Sequence, residues 1–92
     1  MLPNSAFKLE PIVTGTDYSQ DAKPIYALLC TKSAGAGNII MKARGNDTGV
    51  TMPSDAFVVG VIYYIYLGEL VDDDSGNVEF VGFRYHAMPM VL

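Results

Sequence analysis

Asp72, Asp73 and Asp74, followed by Ser75, Gly76 and Asn77, form the run whose residue types point most directly to a bound ion, because hard cations favour clustered carboxylates. An EF-hand loop also needs a bidentate acid at its twelfth position; counted from Asp72 that place is Phe83, and the flanks read as strands. A solvated hairpin turn is therefore expected, with three like charges that discourage edge-to-edge pairing. His86, the single imidazole, and Cys30, the single thiol, are the only pair that could make a thiolate and its base. No signature surrounds Cys30, and its apolar setting in IYALLC reads as a buried thiol. Ser54-Asp55 lacks a nucleophile elbow. The glycines of SAGAG and GND have neither phosphate-loop spacing nor a following helix. Lys32, Lys42 and Arg44 lack the interleaved aromatic residues of an RNA-binding sheet and read as solvated positions. No catalytic residue, cofactor or metal site is expected.

Tyr63, Tyr64 and Tyr66 have the stronger claim to a role beyond packing. Tyrosine joins a large apolar ring to a hydroxyl that still finds a partner, and it is enriched at protein contacts. All three lie in Phe57 to Val71, FVVGVIYYIYLGELV, a stretch rich in β-branched and aromatic residues and free of proline. Such residues fit a strand better than a helix. Period-two alternation puts Val61, Tyr63, Ile65 and Leu67 on one face and Ile62, Tyr64 and Tyr66 on the other. Neither face suits water. In a small antiparallel domain a strand apolar on both sides is covered twice or meets another chain, so an assembly protein is expected.

Composition agrees. Ninety-two residues make one domain, 1–92, whose burial on folding is moderate. Only 17% of residues are charged, against about 25% in average soluble domains, so the surface must include apolar area. The net charge of -4 offers no field to gather phosphates, and nucleic acid is not expected as a partner. The start, MLPNSAFKLEP, does not read as a signal peptide, and no window approaches the roughly 20 apolar residues of a membrane-spanning helix.

The remaining elements follow from turn formers between short apolar runs. Residues 1–6 read as an extended N-terminal arm. Phe7 to Thr14 reads as an edge strand or two short pieces, because Pro11 deletes a ladder donor. GTDYSQDAKP (15–24) is a polar loop. Ile25 to Lys32 is a strand, and SAGAGN (33–38) turns it as a hairpin into Ile39 to Arg44, with Ile39, Met41 and Ala43 inward. GNDT (45–48) leads into the strand Gly49 to Met52. The acidic turn then pairs Phe57 to Val71 with Val78 to Tyr85, and HAMPMVL closes the chain. About seven short strands without a helix imply an all-β fold, a small antiparallel sandwich or jelly-roll-like barrel.

The order of these signals resembles the small head spike base proteins of tailed bacteriophages and gene-transfer-agent particles. The residues that carry it are the strand Ala27 to Thr31, the Ala34-Gly35 hairpin, the strand Ile39 to Ala43 and Gly49-Val50-Thr51. The corner Met52-Pro53, the long hydrophobic strand Val58 to Leu67 and the aromatic end Phe83 to Tyr85 complete it. The acidic turn is longer than the glycine-threonine connection of that pattern, and the chain continues past Tyr85. The resemblance implies a non-enzymatic virion protein on the capsid exterior, made in the host cytoplasm. It would be a spike base at a vertex, or a decoration or cement subunit at three-fold positions. It further implies a homo-oligomer, trimer or pentamer, in contact with the major capsid protein and with a spike or fibre protein. The contact surface expected is Ile62, Tyr64, Tyr66 and Phe83, with Leu2 and Pro3 of the arm. The alternative is a carbohydrate- or receptor-binding β-module of a phage fibre or adhesin, for which exposed tyrosines and turn acids would supply sugar contacts.

Overall fold

The computed structural model describes the backbone of residues 5–87 and the side chains of residues 7–84. Seven strands form two antiparallel sheets, with no closed barrel and, among the described residues, no α-helix. The strands are β1 (Ser5–Pro11), β2 (Ile25–Ser33), β3 (Asn38–Ala43), β4 (Val50–Pro53), β5 (Ile62–Tyr63), β6 (Leu67–Asp72) and β7 (Val78–Ala87). One sheet has the order β1-β7-β2-β5 and the other β4-β3-β6. The expected sandwich is thus the fold.

The core lies between the sheets and draws on nearly every element. Ile25, Leu28 and Cys30 of β2, with Val78 and Phe80 of β7, meet Ile39 and Met41 of β3 and Leu67 and Leu70 of β6. Phe57 holds the middle, edge-on to Tyr63 at 5.0 Å and to Phe80 at 5.1 Å. Edge-to-face rings of this kind add about 1 kcal/mol each beyond their buried area. Tyr18, in the loop expected to be merely polar, is also a core residue, and its hydroxyl accepts the Val13 N–H at 3.0 Å. As Pro11 implies, β1 is an edge strand, but it begins at Ser5. The arm therefore cannot include Ser5 and Ala6, which pair with Ala87 and His86. Leu2 and Pro3 lie outside the described residues.

Three expectations about connections are corrected. First, Phe57 to Val71 is not one strand. Gly60 takes a left-handed conformation (φ 88°) inside a tight turn closed by Val61 N–H to the Val58 carbonyl, 3.1 Å, and after it Ile62–Tyr63 pair with β2 as a short strand, flanked by the Cys30 N–H to Val61 carbonyl bond in the same register. A residue with a Cβ resists that backbone region, so the glycine sets the break. Residues 64–66 then cross between sheets: Ile65 N–H donates to the Tyr26 carbonyl beside β5, and the Tyr66 carbonyl accepts from Arg44 N–H at the end of β3. Second, the acidic turn is not a hairpin, because β6 pairs with β3 while β7 pairs with β1 and β2. Third, SAGAGN also passes between sheets, from β2 to β3. Glu10, Asp21 and Arg84 form an ionic cluster that links three distant segments. The Arg84 guanidinium ties to Glu10 of β1, to Asp21 at 2.7 Å and to the Lys23 carbonyl at 2.8 Å, and lies 6.0 Å over the Tyr18 ring.

Candidate functional site

The expected chemical groups are placed apart or already engaged. Cys30 is buried and faces Phe80 across the ladder, whereas His86 stands six residues further along β7, about 20 Å at strand rise. Burial raises the Cys30 thiol above its ordinary value, and Sγ–H points to the Lys32 carbonyl at 3.4 Å. The two do not form a dyad. Lys32 pairs with Glu79 at 3.6 Å on the four-stranded sheet, and Lys42 pairs with Glu69 at 3.8 Å on the other, so Lys32 does not share a patch with Lys42.

The three aspartates bind their own chain. Asp72 Oδ1 accepts the Asp74 N–H and Asp73 Oδ1 accepts the Gly76 N–H, both at 2.9 Å. Asp73 Oδ2 accepts from the Thr14 hydroxyl at 2.7 Å. Asp74 Oδ2 reaches across to the other turns, accepting Ser54 Oγ–H at 2.9 Å and Gly37 N–H at 3.1 Å. Ser54 is completely buried, and its carbonyl accepts Ser33 Oγ–H at 3.1 Å. A Cβ at Gly35 or Gly37 would collide with the Asp74 carboxylate, which explains why the SAGAG turn is built from such small residues. The acidic turn is a clasp between the ends of the two sheets. Among the described residues no group of three or more His, Cys, Asp or Glu side chains is placed to hold a metal.

Hydrogen bonds to the charged form, from the Thr14 hydroxyl first and then from Gly76 N–H, hold the Asp73 carboxyl below its ordinary value. A carboxyl depressed in the folded state contributes stability that is fully present above the unfolded value, about pH 4, and disappears as the pH falls through the folded value. The denaturation midpoint of the wild type is therefore expected to drop on acidification below about pH 4. Asp73→Asn should show a shallower acid slope in the same titration.

The uncommitted feature of the molecule is a sheet face. Along β7, Val78 and Phe80 point into the core, so Glu79, Val81 and Phe83 point out. Opposed residues of antiparallel strands share a face, and the register extends this outer face across the whole sheet. Pro11, Val81, Leu29 and Ile62 form one row, and Leu9, Phe83 and Ala27 form the next. Phe7 lies beside them, its ring 5.1 Å from that of Phe83. Among the residues whose side chains are described, polar groups return at the end where Glu79 opposes Lys32. Leu9 is 60% exposed, Phe7 53% and Ile62 41%.

Two of the residues expected at a contact, Ile62 and Phe83, thus occupy neighbouring rows of one apolar face. Tyr64, 82% exposed, stays on the same face just past β5, since the Ile65 N–H to Tyr26 carbonyl bond continues the register and sets Tyr64 opposite Ala27; Tyr66, 60% exposed, leaves it with the crossing segment, and Tyr63 is turned inward with its hydroxyl accepting the Val58 N–H at 2.8 Å. The sequence reading missed Leu9, Leu29 and Val81, although their apolar character at alternate positions was visible. Which strands lay side by side was not. Comparison of the chain with family models, with curated proteins and with solved structures finds no match.

Proposed function

We propose that this chain is a non-enzymatic structural subunit of a virion, placed on the capsid exterior as a spike base or decoration subunit, and that the outer face of its four-stranded sheet seats against neighbouring subunits. The observation that carries the reading is the outward apolar surface across four strands, in which Phe7, Leu9 and Ile62 are exposed and Leu29, Val81 and Phe83 are half-buried. A contiguous exposed patch of this kind marks an interaction surface, and its residues are those enriched at the dry centres of interfaces. The resemblance in strand order to head spike base proteins supplies the setting. The carbohydrate-binding alternative loses its acids, since Asp73 and Asp74 are spent inside the fold.

The test is incorporation into particles. Val81 stands in the inner part of the face, on a strand paired on both sides, and lysine there keeps the strand while placing a charge in the contact. Burying an unpaired ammonium is strongly unfavourable, so Val81→Lys is expected to fold normally and to lower the amount of chain on purified particles about tenfold or more. Wild-type occupancy by a folded Val81→Lys chain would remove the face from the contact.

A further inference from the structure

Among the described residues no strand pairs with the outer edge of β1, and that edge carries a self-complementary pattern. Ile12 donates its N–H to the Phe80 carbonyl at 3.0 Å, continuing the register in which Glu10 faces Gly82 and Lys8 faces Arg84. Successive residues of a strand turn their backbone groups alternately to opposite neighbours. Lys8 and Glu10 are therefore bonded to β7, while Phe7 and Leu9 turn both N–H and C=O to the open side, and Pro11 turns its C=O. The β1–β7 register runs from Ser5↔Ala87 to Pro11↔Val81 without a shift. No bulge protects this edge, and proline stands only at its end.

We propose that two copies of the chain pair antiparallel through their β1 edges, about a two-fold axis at Leu9, to make one continuous eight-stranded sheet. The register follows from parity and charge. Opposed residues must share a face, so the axis passes through a residue and not between two residues. An axis at Lys8 sets two ammonium groups against each other, and an axis at Phe7 sets Lys8 opposite Ala6 with no ion pair. At Leu9 the axis sets Lys8 of each copy against Glu10 of the other, Leu9 against Leu9, and Phe7 against Pro11. Both backbone groups of Leu9 are then satisfied, Phe7 N–H meets the Pro11 carbonyl, and the donor that Pro11 lacks falls at the end of the ladder. Glu10 already shares its carboxylate with Arg84, so its rotamer is set for the second cation. The two apolar outer faces merge into one surface. An isologous edge contact of this type closes at two copies and leaves that surface free for the shell.

The inference extends the assembly reading above, which supplies the larger contact, but its test needs no particle. Leu9 is exposed, and opposed residues of a hydrogen-bonded pair have Cα atoms about 5.5 Å apart, within disulfide range. Leu9→Cys is expected to give a covalent dimer on mild oxidation. Phe7→Cys should not, since Phe7 and its symmetry mate stand four residues apart along the ladder, about 13 Å. The wild type, with only the buried Cys30, serves as the blank. Sedimentation should show Lys8→Glu dissociating at a concentration about tenfold higher than wild type, equivalent to about 1.4 kcal/mol. A wild type that stays monomeric at all concentrations, or Phe7→Cys cross-linking as fast as Leu9→Cys, overturns the pairing. Either result leaves the outer-face contact standing, because that contact is scored on particles with Val81→Lys.

Discussion

Arg84→Ala is expected to destabilise the fold by about 3 kcal/mol, at the lower end of the range for breaking a buried ion pair because the two carboxylates are about one-third exposed. The guanidinium serves three acceptors from three segments: Glu10 of the edge strand, Asp21 of the long loop and the Lys23 carbonyl. Removing it leaves Glu10 and Asp21 as like charges around an unfilled space and frees the loop that carries Tyr18. The hydrogen bond it donates to Glu10, chiefly, raises the arginine above its already high ordinary value, so it stays charged throughout the accessible pH range. Lysine is no substitute, since a single ammonium on a flexible stem cannot hold this fork. Arg84→Lys should retain part of the stability, with a loss of about 1–2 kcal/mol. Urea denaturation followed by tyrosine fluorescence measures both. Equal midpoints for wild type and Arg84→Ala would show that the cluster is ornamental.

Asp74→Ala should cost about 3 kcal/mol, from two sources. The fully buried Ser54 hydroxyl and the Gly37 N–H both lose their acceptor, and unsatisfied buried donors carry about 1–3 kcal/mol each. Asp74 also sits at φ 59°, a region that aspartate and asparagine tolerate better than alanine and that adds about 1 kcal/mol to the alanine variant. Asp74→Asn keeps the backbone preference and one acceptor oxygen, so it should fall between the two. Adding Ser54→Ala to Asp74→Ala removes one orphaned donor, and the double variant should be less destabilised than the sum of the singles. Strict additivity in that cycle would mean that the clasp does not join the two turns.

Much of the fold follows from short-range pattern. The strands β1 to β4 and β7, the edge position of β1 marked by Pro11, the β3–β4 hairpin across Gly45 to Thr48 and the inward positions of Ile39 and Met41 follow from period and turn residues. The alternation expected in Ile62 to Leu67 also holds, with Tyr63, Ile65 and Leu67 toward the core and Ile62, Tyr64 and Tyr66 outward. Long-range partners do not follow from such patterns. A glycine and an apolar run look alike whether the chain reverses within a sheet or steps to the next one, so both the Gly60 turn and the crossing at 64–66 were invisible. Both misassigned hairpins share one physical cause: each of these turns passes between the sheets and Asp74 of one holds Gly37 of the other, and no local rule couples residues 37 and 74. Tyr18 and Arg84 escaped notice for the same reason, since a tyrosine in a polar loop becomes core only when an arginine from the distant strand β7 covers it. The alternation pattern points to an apolar surface on a single strand; in the structure outward apolar residues extend over four.

Hydroxyl-radical footprinting of the free chain and of the assembled particle measures that surface most directly. Leu9, Leu29, Val81 and Phe83 are expected to lose most of their labelling on assembly, while Val50 and Val71, exposed on the other sheet, serve as the internal reference. Labelling of the four that is the same in particle and free chain would mean that the face remains wet, and would contradict assembly through it.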